Sequence, residues 1–82
     1  MVTVRYFAAA RAAAGVHSED IDIGNGATVS DALEAIAARH GESLSKVLPA
    51  CSFLLDSVAV RDRETVLPPA AKLDVLPPFA GG

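Results

Sequence analysis

A single amphipathic helix separates two sets of strand-like segments, and this order constrains the fold of the 82-residue chain more than any other feature. Thr28 is a favoured N-cap residue, and Asp31 three residues later completes a capping-box-like pair beside the positive end of the helix dipole. Apolar residues then recur with helical spacing until Gly41, which ends the helix. One long helix predicts one sheet packed against it.

Five segments have the composition and length of strands: residues 2–7, 17–23, 52–55, 58–61 and 72–76. The first segment alternates, so that Val2, Val4 and Tyr6 share one face. An alanine run from residue 8 to residue 14 has high helix propensity and ends at Gly15. This run predicts a short helical turn after the first strand.

The order of the elements is strand, strand, helix and then two or three further strands. The first two strands can pair as a hairpin, the helix can cross one face of the sheet, and the last strand can lie parallel to the first. We therefore predict an α+β fold of the β-grasp (ubiquitin-like) type, with a mixed sheet of four to five strands packed on one main helix. Residues 1–78 are expected to form this domain, and residues 79–82 a flexible C-terminal tail.

Charge and cysteine content exclude several classes of function. The net charge is −3 with seven basic residues, whereas nucleic-acid binding needs clustered lysine and arginine. An acidic chain fits a basic partner surface better. Cys51 is the only cysteine, so no disulfide forms within the chain and a cytoplasmic location is expected. No segment approaches the roughly 18 apolar residues that span a membrane.

Three residues of types that often carry chemistry are assigned structural roles. His40 lies on the apolar stripe of the helix, where core packing or interaction with the helix C-terminus explains it. His17 has no second His, Cys or carboxylate at ligand spacing, so no metal site is predicted. Cys51 is expected to be a buried, inert thiol.

The C-terminal sequence is the remaining candidate for chemistry. Pro77-Pro78 ends the last strand and favours an extended continuation. Gly81 and Gly82 have no Cβ, so they fit a slot that is too narrow for other residues. The carboxylate of Gly82 is ionised at neutral pH, with an ordinary pKa of about 3.3–3.7. Such an end suits a chain whose own terminus is a reagent, activated in one enzyme and consumed in another.

The two ends of the chain resemble those of the molybdopterin synthase small-subunit family, which comprises β-grasp sulfur carriers. The similar stretches are Val4 to Arg11 (VRYFAAAR) with Gly15, and Asp74 to Gly82 (DVLPPFAGG). The resemblance runs the whole length, and the proline pair before the four-residue tail is its most specific element. Asp56 stands where the family often has Asn, and Ala71-Lys72 stands where it usually has a Gly-Asp turn.

The resemblance implies a sulfur carrier of molybdenum cofactor biosynthesis. An ATP-dependent adenylating enzyme of the ubiquitin-activating type would adenylate the carboxylate of Gly82, and a sulfurtransferase would convert the acyl adenylate to a thiocarboxylate. The tail, with Phe79, Ala80 and Gly81, would then enter the large subunit of the synthase and give its sulfur to cyclic pyranopterin monophosphate. By the same resemblance the chain binds no cofactor or metal, since ATP is used by the activating partner and the catalytic groups lie on the partners.

The resemblance also assigns a contact surface. Phe7 and Leu76 match apolar positions that are expected to meet the large subunit of molybdopterin synthase. Arg11 is a candidate polar contact at the same interface. These three residues are the predicted partner interface.

Other functions stay open at this point. Another carrier of the same fold could serve thiamine or cysteine synthesis. A ubiquitin-like modifier would be joined to lysines through Gly82, and that chemistry begins with the same adenylate. A plain interaction domain with incidental glycines is a third alternative.

Overall fold

The computed structural model describes residues 1–77, and a five-stranded mixed sheet forms their centre. The strands are β1 (Val2–Tyr6), β2 (Ser18–Ile21), β3 (Ser52–Leu55), β4 (Val58–Ala59) and β5 (Lys72–Leu76). The helices are α1 (Ala8–Ala14), α2 (Val29–His40) and α3 (Glu42–Val47), and a 3-10 turn covers Leu48–Ala50. The sheet order β2-β1-β5-β3-β4 places β5 in the middle.

The pairing of the strands follows the predicted topology. β1 pairs antiparallel with β2 and parallel with β5. β5 also pairs antiparallel with β3, which in turn pairs antiparallel with β4. The longest helix, α2 with 12 residues, is the predicted main helix. The hairpin, the parallel neighbour and the mixed sheet on one main helix are therefore confirmed.

The alternation of side chains along β1 decides which face of the sheet is buried. Val2, Val4 and Tyr6 are buried in the core, as predicted, because neighbouring residues of a strand face opposite sides. Leu73 and Val75 of β5 extend this buried face. Four apolar residues of α2 join the same core: Val29, Ala32, Leu33 and Ile36.

The ends of α2 are fixed by the residues that the sequence predicts. Thr28 Oγ1 accepts a hydrogen bond from the Asp31 N–H at 3.2 Å, and the Asp31 carboxylate accepts one from the Thr28 N–H at 2.9 Å. This reciprocal pair satisfies two backbone N–H groups that have no partner inside the helix. Gly41 follows the helix with φ of 77°, a value that favours glycine. The predicted capping box and helix stop are both confirmed.

β1, β2 and β4 are each shorter than their sequence patterns predict. β1 ends one residue early, at Tyr6, and β2 starts one residue late and ends two residues early, at Ile21. β4 ends two residues early, at Ala59. Asp62 turns the chain soon after β4, since its side chain accepts from the Glu64 N–H at 2.9 Å. Its carbonyl also accepts from the Thr65 N–H at 3.1 Å. Such local bonds compete with strand pairing, and they end the strand.

The described residues contain no helix of the length and apolar character that a membrane crossing requires. The predicted boundary between a domain of residues 1–78 and a tail of residues 79–82 lies outside the described residues. What the structure describes is therefore the predicted domain up to Pro77.

Candidate partner-binding site

The central strand β5 leads into the C-terminal sequence that carries the predicted chemistry. Leu76 is its last residue and lies opposite Ser52 of β3. On the other side, the Phe7 N–H donates to the Val75 carbonyl at 3.1 Å, so the chain after β1 stays beside β5 to its end. Pro77 is the last described residue. The predicted tail positions lie outside the described residues: Phe79, Ala80, Gly81 and Gly82.

Phe7 and Leu76 lie at neighbouring strand ends, on the face of the sheet that points away from the core. Tyr6 and Val75 are paired and buried, so the residues that follow them point outward. The Phe7 residue is 40% exposed and Leu76 is half-buried. The structure thus brings two predicted interface residues together as an apolar surface beside the end of β5.

Arg11, the third predicted interface residue, reaches the same end of the sheet from α1. Phe7 is the N-cap residue of α1, and its carbonyl accepts from the Ala10 N–H at 3.0 Å, so α1 begins directly at this end of β1. Arg11 is exposed, and its Nη1 lies 3.3 Å from Nδ1 of His17. The Tyr6 N–H donates to the His17 carbonyl at 2.8 Å, which holds His17 at this end as well. Arg11 therefore lies at the same end of the sheet as Phe7 and Leu76, toward β2.

An ion pair that the sequence did not predict lies next to Phe7 on the outer face. Arg5 Nε donates to Asp74 Oδ1 at 2.6 Å, and Arg5 Nη2 donates to Oδ2 at 2.8 Å. This hydrogen bonding, together with the charge of Asp74, raises the pKa of Arg5 above its ordinary value. The Arg5 side chain is 43% exposed and that of Asp74 only 7%. Arg5 Cζ lies 6.0 Å from the centre of the Phe7 ring, so the pair adjoins the apolar surface.

A second polar cluster lies on the inner face of the sheet. Glu19 of β2 accepts hydrogen bonds from the Tyr6 hydroxyl at 2.5 Å and from the His40 ring, and it pairs with Arg39 at 3.0 Å. Burial alone would raise the pKa of Glu19, but the bonds from Tyr6 and His40 outweigh it and lower that pKa. Burial and the bond to Glu19 raise the pKa of Tyr6 well above its ordinary value. The His40 ring also packs edge-on against the Tyr6 ring, with 5.8 Å between the ring centres, whereas its carboxylate partner was not foreseen.

Cys51 is a buried thiol, as predicted. Its side chain donates to the Val47 carbonyl at 3.2 Å. Burial raises the pKa of Cys51, which keeps the thiol protonated. A buried, protonated thiol is a poor nucleophile, so Cys51 does not belong to the candidate site.

The candidate site is a surface at the shared end of β1 and β5. A groove of about 620 Å³ opens at the start of β1, beside Met1 and residues 24–27. Because β1 and β5 run parallel, that groove lies at the opposite end of the sheet from Leu76. Within residues 1–77, no group of three or more His, Cys, Asp or Glu side chains is arranged to hold a metal ion.

Comparison with known proteins identifies the family of this chain. The model of the ThiS family matches residues 4–82. The chain belongs to the ThiS family. The match covers the strand end around Phe7 and Leu76 and continues through the C-terminal sequence.

Individual proteins similar to this ThiS-family chain agree in size and fold. The molybdopterin synthase sulfur carrier subunit of Chlamydomonas reinhardtii is 34% identical over 82 residues, which are 99% of this chain and 98% of that protein. The structure of SAMP1 from Haloferax volcanii has a TM-score of 0.86 at 26% identity and covers 99% of this chain and 98% of its own. A chain of the complex of subunits 1 and 2 of molybdopterin-converting factor from Helicobacter pylori has a TM-score of 0.71 at 25% identity, covering 99% and 97%. The predicted resemblance to the molybdopterin synthase small-subunit family and the β-grasp fold are confirmed.

This ThiS-family chain departs from the expected pattern at three residues, Asp56, Ala71 and Lys72, which meet at one turn. Asp56 follows β3 with φ of 48°, in the left-handed region that Asp enters more readily than most residues. Its N–H donates to the Lys72 carbonyl at 2.8 Å, and its side chain accepts from the Lys72 N–H at 2.9 Å. Ala71, the third of these residues, is buried. The departures therefore adjust one turn at the start of β5, at the opposite end of that strand from Leu76.

Proposed function

We propose that this chain is the sulfur carrier of a molybdopterin synthase. The observation that carries the proposal is the match along nearly the full length to a relative of that name, at 34% identity. The described fold supports it, because the central strand ends at Leu76 beside the exposed side chain of Phe7. A chain that leaves the middle of a sheet through Pro77-Pro78 is favoured to continue in extended form, which suits insertion into a partner.

In this proposal the carboxylate of Gly82 is the reacting group. An adenylating enzyme joins it to the AMP part of ATP and releases pyrophosphate, which turns a poor electrophile into an activated acyl group. A sulfurtransferase then delivers sulfur at the oxidation level of sulfide, which displaces AMP and leaves a thiocarboxylate. In the large subunit the thiocarboxylate gives its sulfur to cyclic pyranopterin monophosphate and returns to the Gly82 carboxylate, and two such transfers build the dithiolene of molybdopterin.

The composition of the tail suits a role without catalytic groups of its own. Phe79, Ala80 and Gly81 carry no charged side chain, so one terminal anion is all that a desolvated channel has to compensate. The acids, bases and phosphate ligands of the reaction belong to the partners in this proposal. The chain is thus a sulfur-donating subunit of a synthase, and its cytoplasmic location stays a prediction.

The proposed contact with the large subunit is the surface formed by Phe7 and Leu76. A few well-packed residues near the centre of an interface carry most of the free energy of such contacts. Arg11 adds a polar contact from α1 at the same end of the sheet. The Helicobacter pylori relative lends support, since it is part of a complex of subunits 1 and 2 of molybdopterin-converting factor.

A ubiquitin-like modifier is the second candidate function. The likeness to SAMP1, the small archaeal modifier protein 1 of Haloferax volcanii, favours it. In that role Gly82 would form an isopeptide bond with a lysine of another protein. A carrier for thiamine or cysteine synthesis would use the same adenylate. The product therefore distinguishes these functions, because each one consumes the activated end of the chain differently.

A single added residue tests the proposal. We expect a variant with one alanine after Gly82 to fold normally and to form no molybdopterin with the activating enzyme, sulfurtransferase and large subunit. In the matched control, the added segment after Gly82 carries a protease site. Cleavage directly after Gly82 restores the original end and should restore molybdopterin formation. Molybdopterin formation by the uncleaved variant would contradict the proposal.

A further inference from the structure

One edge of the Arg5 guanidinium group is left unused by residues 1–77, and it lies beside the proposed contact surface. Asp74 accepts hydrogen bonds from Nε and Nη2, while Nη1 has no hydrogen-bond partner within residues 1–77. The side chain is 43% exposed, so the remaining donors are accessible from outside. A guanidinium carries five N–H donors in a planar fork that matches the two oxygens of a carboxylate. One carboxylate is therefore already bound, and the geometry has room for a second.

The charge that faces outward next to Phe7 is positive. The Asp74 side chain is only 7% exposed, and its carboxylate is directed at Arg5. Arg11, which is exposed at the same end of the sheet, adds a second cation. The net charge of −3 therefore does not describe this part of the surface. Complementarity calls for an acidic group on the partner at this point.

We propose that Arg5 determines specificity at the contact with the large synthase subunit by receiving a carboxylate of that subunit on its free edge. The carboxylate lies beside the apolar contact made by Phe7 and Leu76. Asp74 is a positioning residue, because its two hydrogen bonds fix the plane of the guanidinium relative to the Phe7 ring. This inference rests on the proposed function and adds the chemistry of the partner surface.

The test replaces the ion pair with apolar side chains of similar size. In the double variant Arg5→Met/Asp74→Leu no charge is left buried, and such replacements are often neutral or stabilising for folding. The affinity for the large subunit of the same organism is measured by calorimetry at low and at high salt. Arg61→Met is the matched control, since Arg61 is exposed after β4 and is not part of the contact surface. Phe7→Ala is measured in parallel.

We expect the double variant to melt no lower than the wild type and to bind about tenfold more weakly at low salt, since close interfacial charge pairs contribute that much or more. The difference shrinks at high salt, because screening weakens the wild-type pair, and a purely structural role would not change the salt dependence. Wild-type affinity and salt dependence in the double variant would overturn the proposal. If Phe7→Ala also binds like the wild type, the proposed contact surface itself is wrong.

A second variant keeps the test decisive if the double variant does not fold. Arg5→Lys retains a positive charge beside Asp74 but lacks the planar fork that two carboxylates can share. We expect this variant to fold and to bind the large subunit several-fold more weakly. Unchanged affinity of Arg5→Lys would overturn the assignment of a second carboxylate to Arg5.

Discussion

The two faces of the sheet carry polar networks that start from successive residues of β1, and the networks differ in exposure. On the inner face, Tyr6 and His40 both bond to Glu19, whose side chain is 10% exposed. On the outer face, Arg5 bonds to Asp74 and stays 43% exposed. The inner network links β1, β2 and α2, whereas the outer one links the neighbouring strands β1 and β5.

From this difference we infer that the inner network serves the fold, and we expect the outer one to serve recognition. An enclosed carboxylate with several donors stabilises the protein only while every member is present, because each buried group that is left alone costs free energy. A half-exposed arginine keeps donors for another molecule, and its pair is replaceable by apolar side chains. We therefore expect changes on the inner face to affect stability, and changes on the outer face to affect binding.

Breaking the inner network has the largest expected effect. In Glu19→Ala, the Tyr6 hydroxyl and the His40 ring lose their acceptor, and we expect the free energy of unfolding in urea to fall by about 3 kcal/mol. Affinity of the folded variant for the large subunit should not change. Asp20→Ala in the same strand is the control, since that carboxylate accepts from the exposed Thr3 hydroxyl at 2.7 Å. An equal loss of free energy of unfolding in Glu19→Ala and Asp20→Ala would contradict an enclosed network around Glu19.

Removing the apolar contact on the outer face gives the next largest effect. We expect Phe7→Ala to weaken binding of the large subunit by about 2 kcal/mol, as truncation of an interface anchor does. Leu76→Arg should weaken it at least as much, because it places a charge in the apolar contact. The free energy of unfolding of Phe7→Ala should change little, because Phe7 is 40% exposed. Val58→Ala on β4 is the control, since Val58 is 68% exposed and distant in the sheet from β1. Unchanged affinity by calorimetry would remove Phe7 and Leu76 from the contact.

The milder substitution Tyr6→Phe tests the inner network through the pH dependence of the free energy of unfolding. It removes one hydrogen bond and should lower the free energy of unfolding by about 1 kcal/mol at neutral pH. Because the folded protein raises the pKa of Tyr6 above its ordinary value of 10.0, the stability from this group is present below pH 10 and is lost as the pH rises further. Urea titrations between neutral and alkaline pH should show that loss in the wild type but not in the variant. The same alkaline loss in both would rule out Tyr6 as its source.

The dependence of the free energy of unfolding on acid pH tests the role of Glu19. The folded protein lowers the pKa of Glu19 below its ordinary value of 4.5, so its stabilisation is present above that pH and is lost as the pH falls through the folded value. The wild type should therefore lose more stability than Glu19→Ala between pH 5 and pH 3. A parallel decline of the two proteins would show that other carboxylates dominate acid unfolding.

Local sequence patterns were sufficient to predict much of this fold. The alternation of Val2, Val4 and Tyr6 assigned the buried face of β1, because side-chain direction in a strand depends only on parity. Thr28 and Asp31 located the start of α2 through bonds between residues three apart. Phe7 and Leu76 were assigned to the contact by the family resemblance, and the parallel pairing of β1 and β5 explains why they lie at one end of the sheet.

The polar networks could not be predicted, because they depend on contacts between distant segments. Arg5 and Asp74 are 69 residues apart in sequence, and their pairing depends on the exact register of β1 and β5. Glu19 and His40 meet only because α2 ends over β2. One signal was present for the outer pair: an arginine in the first strand and an aspartate in an apolar last strand, both of which need a partner when half-buried.

Intact-mass measurement of the chain tests the sulfur-carrier proposal most directly. The wild-type chain is incubated with the adenylating enzyme, ATP and a sulfurtransferase, and its mass is compared with that of a sample without ATP. The proposal predicts a gain equal to the mass difference between sulfur and oxygen, assigned to Gly82 by fragmentation. An unchanged mass while the enzyme forms the adenylate, or a covalent conjugate with a second protein in place of the thiocarboxylate, would contradict it.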